Sequence, residues 1–559
     1  MKNLFMLLCL CVPLGLSAAQ ALPENVYFRA MADEMQRTKK QLRVKGAVKP
    51  FFTVYRLTQT EETGVSSVFG VPGQRLAPTS NLSAQVYMYA GDAQNNSSGF
   101  LDAHAYSFPS LVKQVSAVPV SYEGIRRVLW KLTDLAYVQA SGLYDKKMDY
   151  KRRKGLHSQV PDFSFAPQAA YAEEASGLPP LDFSAYQTWA DELSAAAKKY
   201  PYIEQFSVQF SFQQKTSYFL DSLGDFYQIS RPNDQLILTL VLRTRKGYRE
   251  GLKERIALSR QETPDPAAWT KTVQELLQQA QQLYTAGEAE PYVGPVLLRP
   301  AAAAKFFDYL FATEVSHTKS WLSDDSFLEK QFAGGKFKDK LGMRVISALF
   351  DVYDRPQLRS YKGRPLTAFM PVDDEGVPAQ ELQLVKGGKL IALPQARGVS
   401  QKGQKSNGRA RMFIEWPRAD VTNLFFVPKQ ALSAEAMEEK LLARCRELDL
   451  PYCYILPSWQ LPMDVTQTER EVPSEIIFAE RVYTQDGRKE TVHGLKFDAL
   501  STRSLRDITA AGDDAQAFAM GSWGERNISV VAPSVLVEEM ELVPTERKPA
   551  QKPFVPMPR

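Results

Sequence analysis

Apolar and polar positions alternate with two different periods along this chain, and the switches between them outline its elements. Tyr27, Met31, Met35 and Leu42 fall near helical spacing in VYFRAMADEMQRTKKQL, which predicts an amphipathic helix. Three short runs follow, PFFTVYRL, VSSVFG and AQVYMYA, separated by polar or Gly/Pro signals, and read as strands. YEGIRRVLWKLTDLAYVQASGLYDKKMDYKRRKG predicts a long amphipathic helix ending at Gly155. The Pro-, Ala- and Ser-containing stretch 160–180 reads as a linker or surface crossing. A helix near 185–199 then precedes FSVQFSF, SYFLDS and QLILTLVLRT, and AAWTKTVQELLQQAQQLY predicts a further helix. VLLRPAAAAKFFDYL, residues 296–310, is a short buried strand running straight into a helix.

From Met343 onwards strands dominate: RVISALFDVYD, ELQLVKGGKLIAL, RMFIEW, NLFFVP, the hairpin EIIFAERVYTQDGRKETVHGLKF, and finally SVLVEEMEL. One helix, SAEAMEEKLLARCREL, interrupts them, with Ser433 as its N-cap. The fold class is α+β: an N-terminal α/β domain at 22–287, with a mixed or antiparallel sheet and long helices, then a β-rich C-terminal domain at 288–545. The Pro/Lys-rich tail 546–559 is expected to be disordered.

The first 21 residues add a location. A charged start at Lys2, an apolar run from Leu4 to Leu16 and an A-x-A end at Ala19–Ala21 predict an export signal cleaved after Ala21. The apolar run is too short for a membrane span, and no second stretch approaches about 20 apolar residues. An exported, periplasmic protein is expected. Beyond Ala21 only Cys445 and Cys453 remain; export permits a disulfide between them, and two buried thiols are the alternative.

A net charge of +5 over 559 residues does not point to nucleic acid. The densest basic cluster, Lys146, Lys147, Lys151, Arg152, Arg153 and Lys154, reads as a solvated helix end or a seat for an anionic partner.

Candidate chemistry is sparse. The four histidines, His104, His157, His317 and His493, are scattered singly, and no H-E-x-x-H, C-x-x-C, G-x-S-x-G or phosphate loop occurs. Glu314 and His317, three residues apart on the helix that begins at 300, form the nearest thing to a metal pair, but zinc needs at least three protein ligands. Two polar loops stand out. Asp373, Asp374 and Glu375 precede Gly376; they suit a cation, a peptide amine, or a turn whose carboxylates take its own backbone N–H groups. Asn407-Gly408 beside Arg409 and Arg411 signals a tight turn or a clamp for a peptide carboxylate.

Taken in order, VDDEGVPAQELQLVKGGKLIAL, KSNGRARM and APSVLVEEMEL resemble segments of the TldD/PmbA (TldE) family, a metalloprotease-related group also known as modulators of DNA gyrase. RAMADEMQRTKKQL, KPFFTVYRL, LWKLTDLAYVQA and YVGPVLLRPAAAAKFF look like the long, exported branch of that family. The resemblance implies a two-subunit protease that degrades small or unfolded peptides in a closed chamber. In TldD-type subunits a helix carries H-E-x-x-x-H, whose histidines bind zinc and whose glutamate activates water, and a later cysteine completes the site.

Aligned through the preceding V-L-L strand, that motif falls on Arg299, Pro300 and Ala304 of this chain. A guanidinium stays protonated, and neither proline nor alanine carries a base. Neither Cys445 nor Cys453 lies in AFAMGSWGERNISVVAPS, where the ligand cysteine is expected.

The resemblance is therefore to the TldE-type half: no catalytic or metal residue in this chain, zinc in a TldD-like partner, and peptides as substrates. Asp373, Asp374, Glu375, Asn407 and Arg409 are expected to line the peptide cleft. Two other readings stand beside it. One is a metallopeptidase in its own right, using residues such as Glu314 and His317. The other is a self-associating, non-catalytic peptide-binding protein. An export signal would also separate the protein from DNA.

Overall fold

PFFTVYRL does not stop where its apolar alternation ends. In the structure, a computed structural model, it continues as one strand, Pro50–Val68, through the polar TQTEETG and into VSSVFG. The strand is paired on both sides, with Leu76–Ala90 and with Ile203–Asp221, so ladder hydrogen bonds hold its backbone whatever its side chains prefer. FSVQFSF and SYFLDS merge for the same reason into Ile203–Asp221. The structure describes residues 21–102, 112–157, 159–173, 180–260, 262–413, 416–458, 475–520 and 528–545. The expected export signal up to Gln20, His104 and the C-terminal tail lie outside them.

Phe226–Pro232 and Asp234–Arg243 pair with successive parts of Ile203–Asp221, and Arg249–Leu258 closes that side as an edge strand. The resulting nine-stranded sheet is antiparallel except where Ala170–Ala172 joins Phe226–Pro232 in parallel. The expected linker at 160–180 therefore does more than cross the surface. It supplies that strand and buries Phe163 against Phe52 and Tyr89.

Helices Val26–Gln41 and Tyr122–Lys154 cover one part of the sheet, and Phe183–Ala195 with Pro266–Thr285 covers another. The long helix is capped by Ser121 and ends at Gly155, whose φ of +62° suits glycine. Its basic end is not simply solvated. Lys147 is buried and donates to the Asn96 and Ser98 carbonyls and to Asp162, while Arg152 and Arg153 stay exposed beside Asp149.

The C-terminal region is built on two larger sheets, with two-stranded ribbons beside them. One is mixed, with Tyr292–Leu298 between Tyr452–Leu456 (parallel) and Val535–Pro544 (antiparallel). The other includes Phe350–Asp354, Asn423–Pro428 and Ile528–Ala532. Val296 and Leu298 face the large core that both sheets share, whereas Leu297 faces helix Ala434–Glu447 on the opposite side. That helix starts at a Ser433 cap and ends near a Cys445–Cys453 disulfide, Cα atoms 6.4 Å apart. Among the described residues no helix is long and apolar enough to cross a membrane.

Candidate functional site

The strand-to-helix junction at 298–305 sits in the middle of this core. Helix Pro300–Phe307 contributes Ala302, Ala303, Ala304, Phe306 and Phe307, all with no exposed surface. Phe307 stacks on Phe426 with ring centroids 3.8 Å apart. The run of alanines follows from that position, since a helix enclosed on most sides has room for methyl groups and little else. Pro300 takes the first helical position, where a missing N–H costs nothing. The Arg299 amide donates to the Leu456 carbonyl at 3.0 Å and locks the junction to the neighbouring parallel strand.

The side chains at the motif positions do not fit zinc. Arg299 pairs with Glu438 of helix Ala434–Glu447, and Lys489 donates to the same carboxylate at 3.0 Å. Ala304 is packed into the core with no exposed surface. Among the described residues no group of three or more His, Cys, Asp or Glu could hold a metal.

The Glu314–His317 pair is not on one helix face. The helix continues through a π-helical stretch, Asp308–Ala312, and ends at Val315. His317 lies beyond it with φ of +56°. Glu314 is buried, not solvated, and accepts from the Lys336 amide at 2.9 Å.

The two polar loops are drawn into a seam between the N-terminal sheet and the C-terminal region. Asp373 accepts from the amides of Glu375, Val377 and Ala410 at 2.8–3.0 Å. Burial, reinforced by the Glu375 charge, pushes its carboxyl up to about 8 despite those bonds. Asp374 accepts from the Met412 amide and pairs with Arg56 of strand Pro50–Val68 at 2.9 Å. Burial pushes Asp374 upwards, but Arg56, Arg411 and Arg231 together hold it below the ordinary carboxylate value.

Glu375 accepts from the Arg397 amide at 2.7 Å, and burial raises its pKa. Gly376, at φ of +74°, turns so close to Phe219 and Asp225 that a Cβ would lie within 2.9 Å of both. Of the two readings of Asp373–Glu375, the geometry is that of a self-satisfied turn.

Asn407 braces the adjoining loop through the Gln395 amide and the Leu393 carbonyl. Arg409 is fully buried against Asp354 at 2.7 Å. Asp374, directly, and Glu375, through Arg397, reach the N-terminal sheet across the seam, whereas Asp373, Asn407 and Arg409 are engaged within the C-terminal region.

Sequence reasoning missed the residues that complete the seam. Arg397, fully buried, donates to Asp225 at 2.6 Å across 172 positions of sequence. A cavity of about 110 Å³ opens beside it, lined by Asp162, Phe163, Lys319, Trp321 and Glu375 among others. Lys319 donates to the Asp162 carbonyl there, and burial holds Lys147, behind Asp162, down to about 7. Nothing in the local sequence around Arg397 or Asp225 distinguishes them from surface residues.

Residues 291–543 match the PmbA/TldA metallopeptidase C-terminal domain. No curated protein matches the chain. Among solved structures, a proposed modulator of a DNA gyrase from Thermotoga maritima superposes with a TM-score of 0.62 at 16% identity, covering 92% of this chain and all of that one. TldE from Thermococcus kodakarensis gives 0.59 at 13% identity, over 92% of this chain and all of its own. A proposed modulator of DNA gyrase from Bacteroides thetaiotaomicron gives 0.59 at 12%, over 93% and 98%. At such identities the superpositions establish a shared fold. The domain match places residues 291–543 in the PmbA/TldA C-terminal domain family, on a chain whose fold these structures share.

Proposed function

We propose that this chain is the zinc-free, exported subunit of a TldD/TldE-type metallopeptidase system acting on small or unfolded peptides, paired with a TldD-like subunit that carries the metal. One observation supports this most strongly. The scaffold that would present H-E-x-x-x-H is kept, from the strand pairing to the buried helix, while its two histidine positions and its glutamate position hold Arg299, Ala304 and Pro300. The arginine side chain is engaged with Glu438. The contribution of this chain is then architectural: one wall of a peptide chamber, with open sheet edges for an extended peptide to pair against.

The decisive experiment is purification of the tagged chain from its native source. Co-purification with an H-E-x-x-x-H protein, with zinc in the complex and chelator-sensitive peptide cleavage, is the expected result. A chain that purifies alone and cleaves peptides in a chelator-sensitive way would overturn the reading.

A further inference from the structure

Helix Pro300–Phe307 is buried on every face but one. Ala301 and Lys305, with Tyr309 of the following π-helical turn, each four residues from the next, form a stripe that is mostly buried but reaches the surface. Lys305 Nζ donates to Ser458 Oγ at 3.2 Å. Ser458 follows strand Tyr452–Leu456 by two residues, and the Leu456 carbonyl is the one that accepts the Arg299 amide. The serine and the lysine thus come from the two elements that build the junction.

From this geometry we propose that Ser458 and Lys305 form a serine–lysine dyad that attacks the carbonyl of an extended peptide or peptide-like amide. Two further features support it. Burial holds the Lys305 amine down to about 8, with Glu254 only partly offsetting it, so a useful fraction is neutral and able to take a proton near physiological pH. Glu254 belongs to Arg249–Leu258, which among the described residues is the outer edge of the nine-stranded sheet, the kind of strand an extended chain can pair with.

In the reaction, neutral Lys305 takes the proton from Ser458 Oγ–H as Oγ bonds to the carbonyl carbon. The tetrahedral adduct collapses as the C–N bond breaks, and the leaving amine takes the proton back from the Lys305 ammonium. Water then attacks the acyl-serine, Lys305 accepting its proton and returning it to Oγ. No metal enters these steps. They stand apart from pairing with a zinc-bearing subunit, so failure of that pairing would leave them intact.

The test uses the full-length mature chain and a fluorophosphonate probe, whose phosphorus bonds to an activated serine Oγ with loss of fluoride. Labelled protein is mapped by peptide mass spectrometry across pH 6 to 10. The expected result is a label on Ser458, absent in Ser458→Ala, with a rate that rises through about pH 8. In Lys305→Arg, which keeps the charge, and in Lys305→Met, which keeps most of the side-chain length, the rate should fall about 100-fold or more while circular dichroism stays unchanged. Absence of label on Ser458, or a labelling rate that both lysine variants leave unaltered, overturns the proposal.

Discussion

The junction at 298–305 and the seam around 373–411 both stand out in the sequence, and they differ in what their side chains are for. At the seam the polar residues are present, and the fold has consumed them. Asp373 serves three backbone amides, Asp374 holds Arg56, and Arg409 lies fully buried on Asp354. At the junction the side chains at 299, 300 and 304 offer no zinc ligand, and the strand and helix pack without one. Arg299 reaches out to a partly exposed Glu438, and Ala304 disappears into packing. A charged residue inside a sealed interface is bound by every neighbour it satisfies. A ligand at the end of a strand contributes mainly chemistry and can be exchanged at small structural cost.

The sharpest test of this contrast is Arg409→Ala. It strands Asp354 in the interior without its partner and is expected to cost about 3–5 kcal/mol, read by urea or guanidinium unfolding. A loss below about 1 kcal/mol would mean that the seam is wetter and looser than its burial implies. Restoring one ligand at the junction should come next. Ala304→His forces an imidazole into a filled core and is expected to destabilise the chain by about 1–3 kcal/mol, with no gain of zinc by mass spectrometry.

A third expectation concerns pH. Burial first, and the Asp225 charge second, push the Asp221 carboxyl up to about 8 from its ordinary 3.8. The folded chain then binds more protons than the unfolded chain between those values. This stabilising contribution is present at low pH and is lost as pH rises through about 8. Asp221→Asn keeps an oxygen for the Leu223, Gly224 and Asp225 amides and removes the titration. Its Tm should fall less between pH 5 and pH 9 than that of the parent, by about 2–4 °C. The smallest effect is expected for Arg299→Ala, whose partly exposed ion pair contributes about 0–1 kcal/mol. A cost well above that range would erase the distinction between the two regions.

Much of the fold could be read from the chain. The long helix and its Gly155 stop, the Ser433 cap, the strand at 423–428 and the hairpin at 475–497 lie where the apolar spacing places them. The strand breaks around TQTEETG and between FSVQFSF and SYFLDS were misread. Polar residues end an apolar pattern, but they do not end a ladder paired on both sides. The turn at 373–376 was legible as one of two readings, because Asp and Gly carry their local preferences with them. The partners of its carboxylates were not, since Arg56 and Arg397 are brought there by the sheet and by a distant loop.

The sequence by itself determined the local grammar: which segments are helix or strand, where they are capped, and that the strand-to-helix junction lacks the residues to bind zinc. Those follow from side-chain chemistry and near-neighbour backbone preference. Only the tertiary structure decided that Asp373, Asp374, Glu375 and Arg409 are consumed in and beside a seam. It likewise decided that Cys445 and Cys453 are joined and that Lys305 meets Ser458 across 153 positions. Such encounters depend on how sheets pack, and no short-range pattern in the chain encodes them.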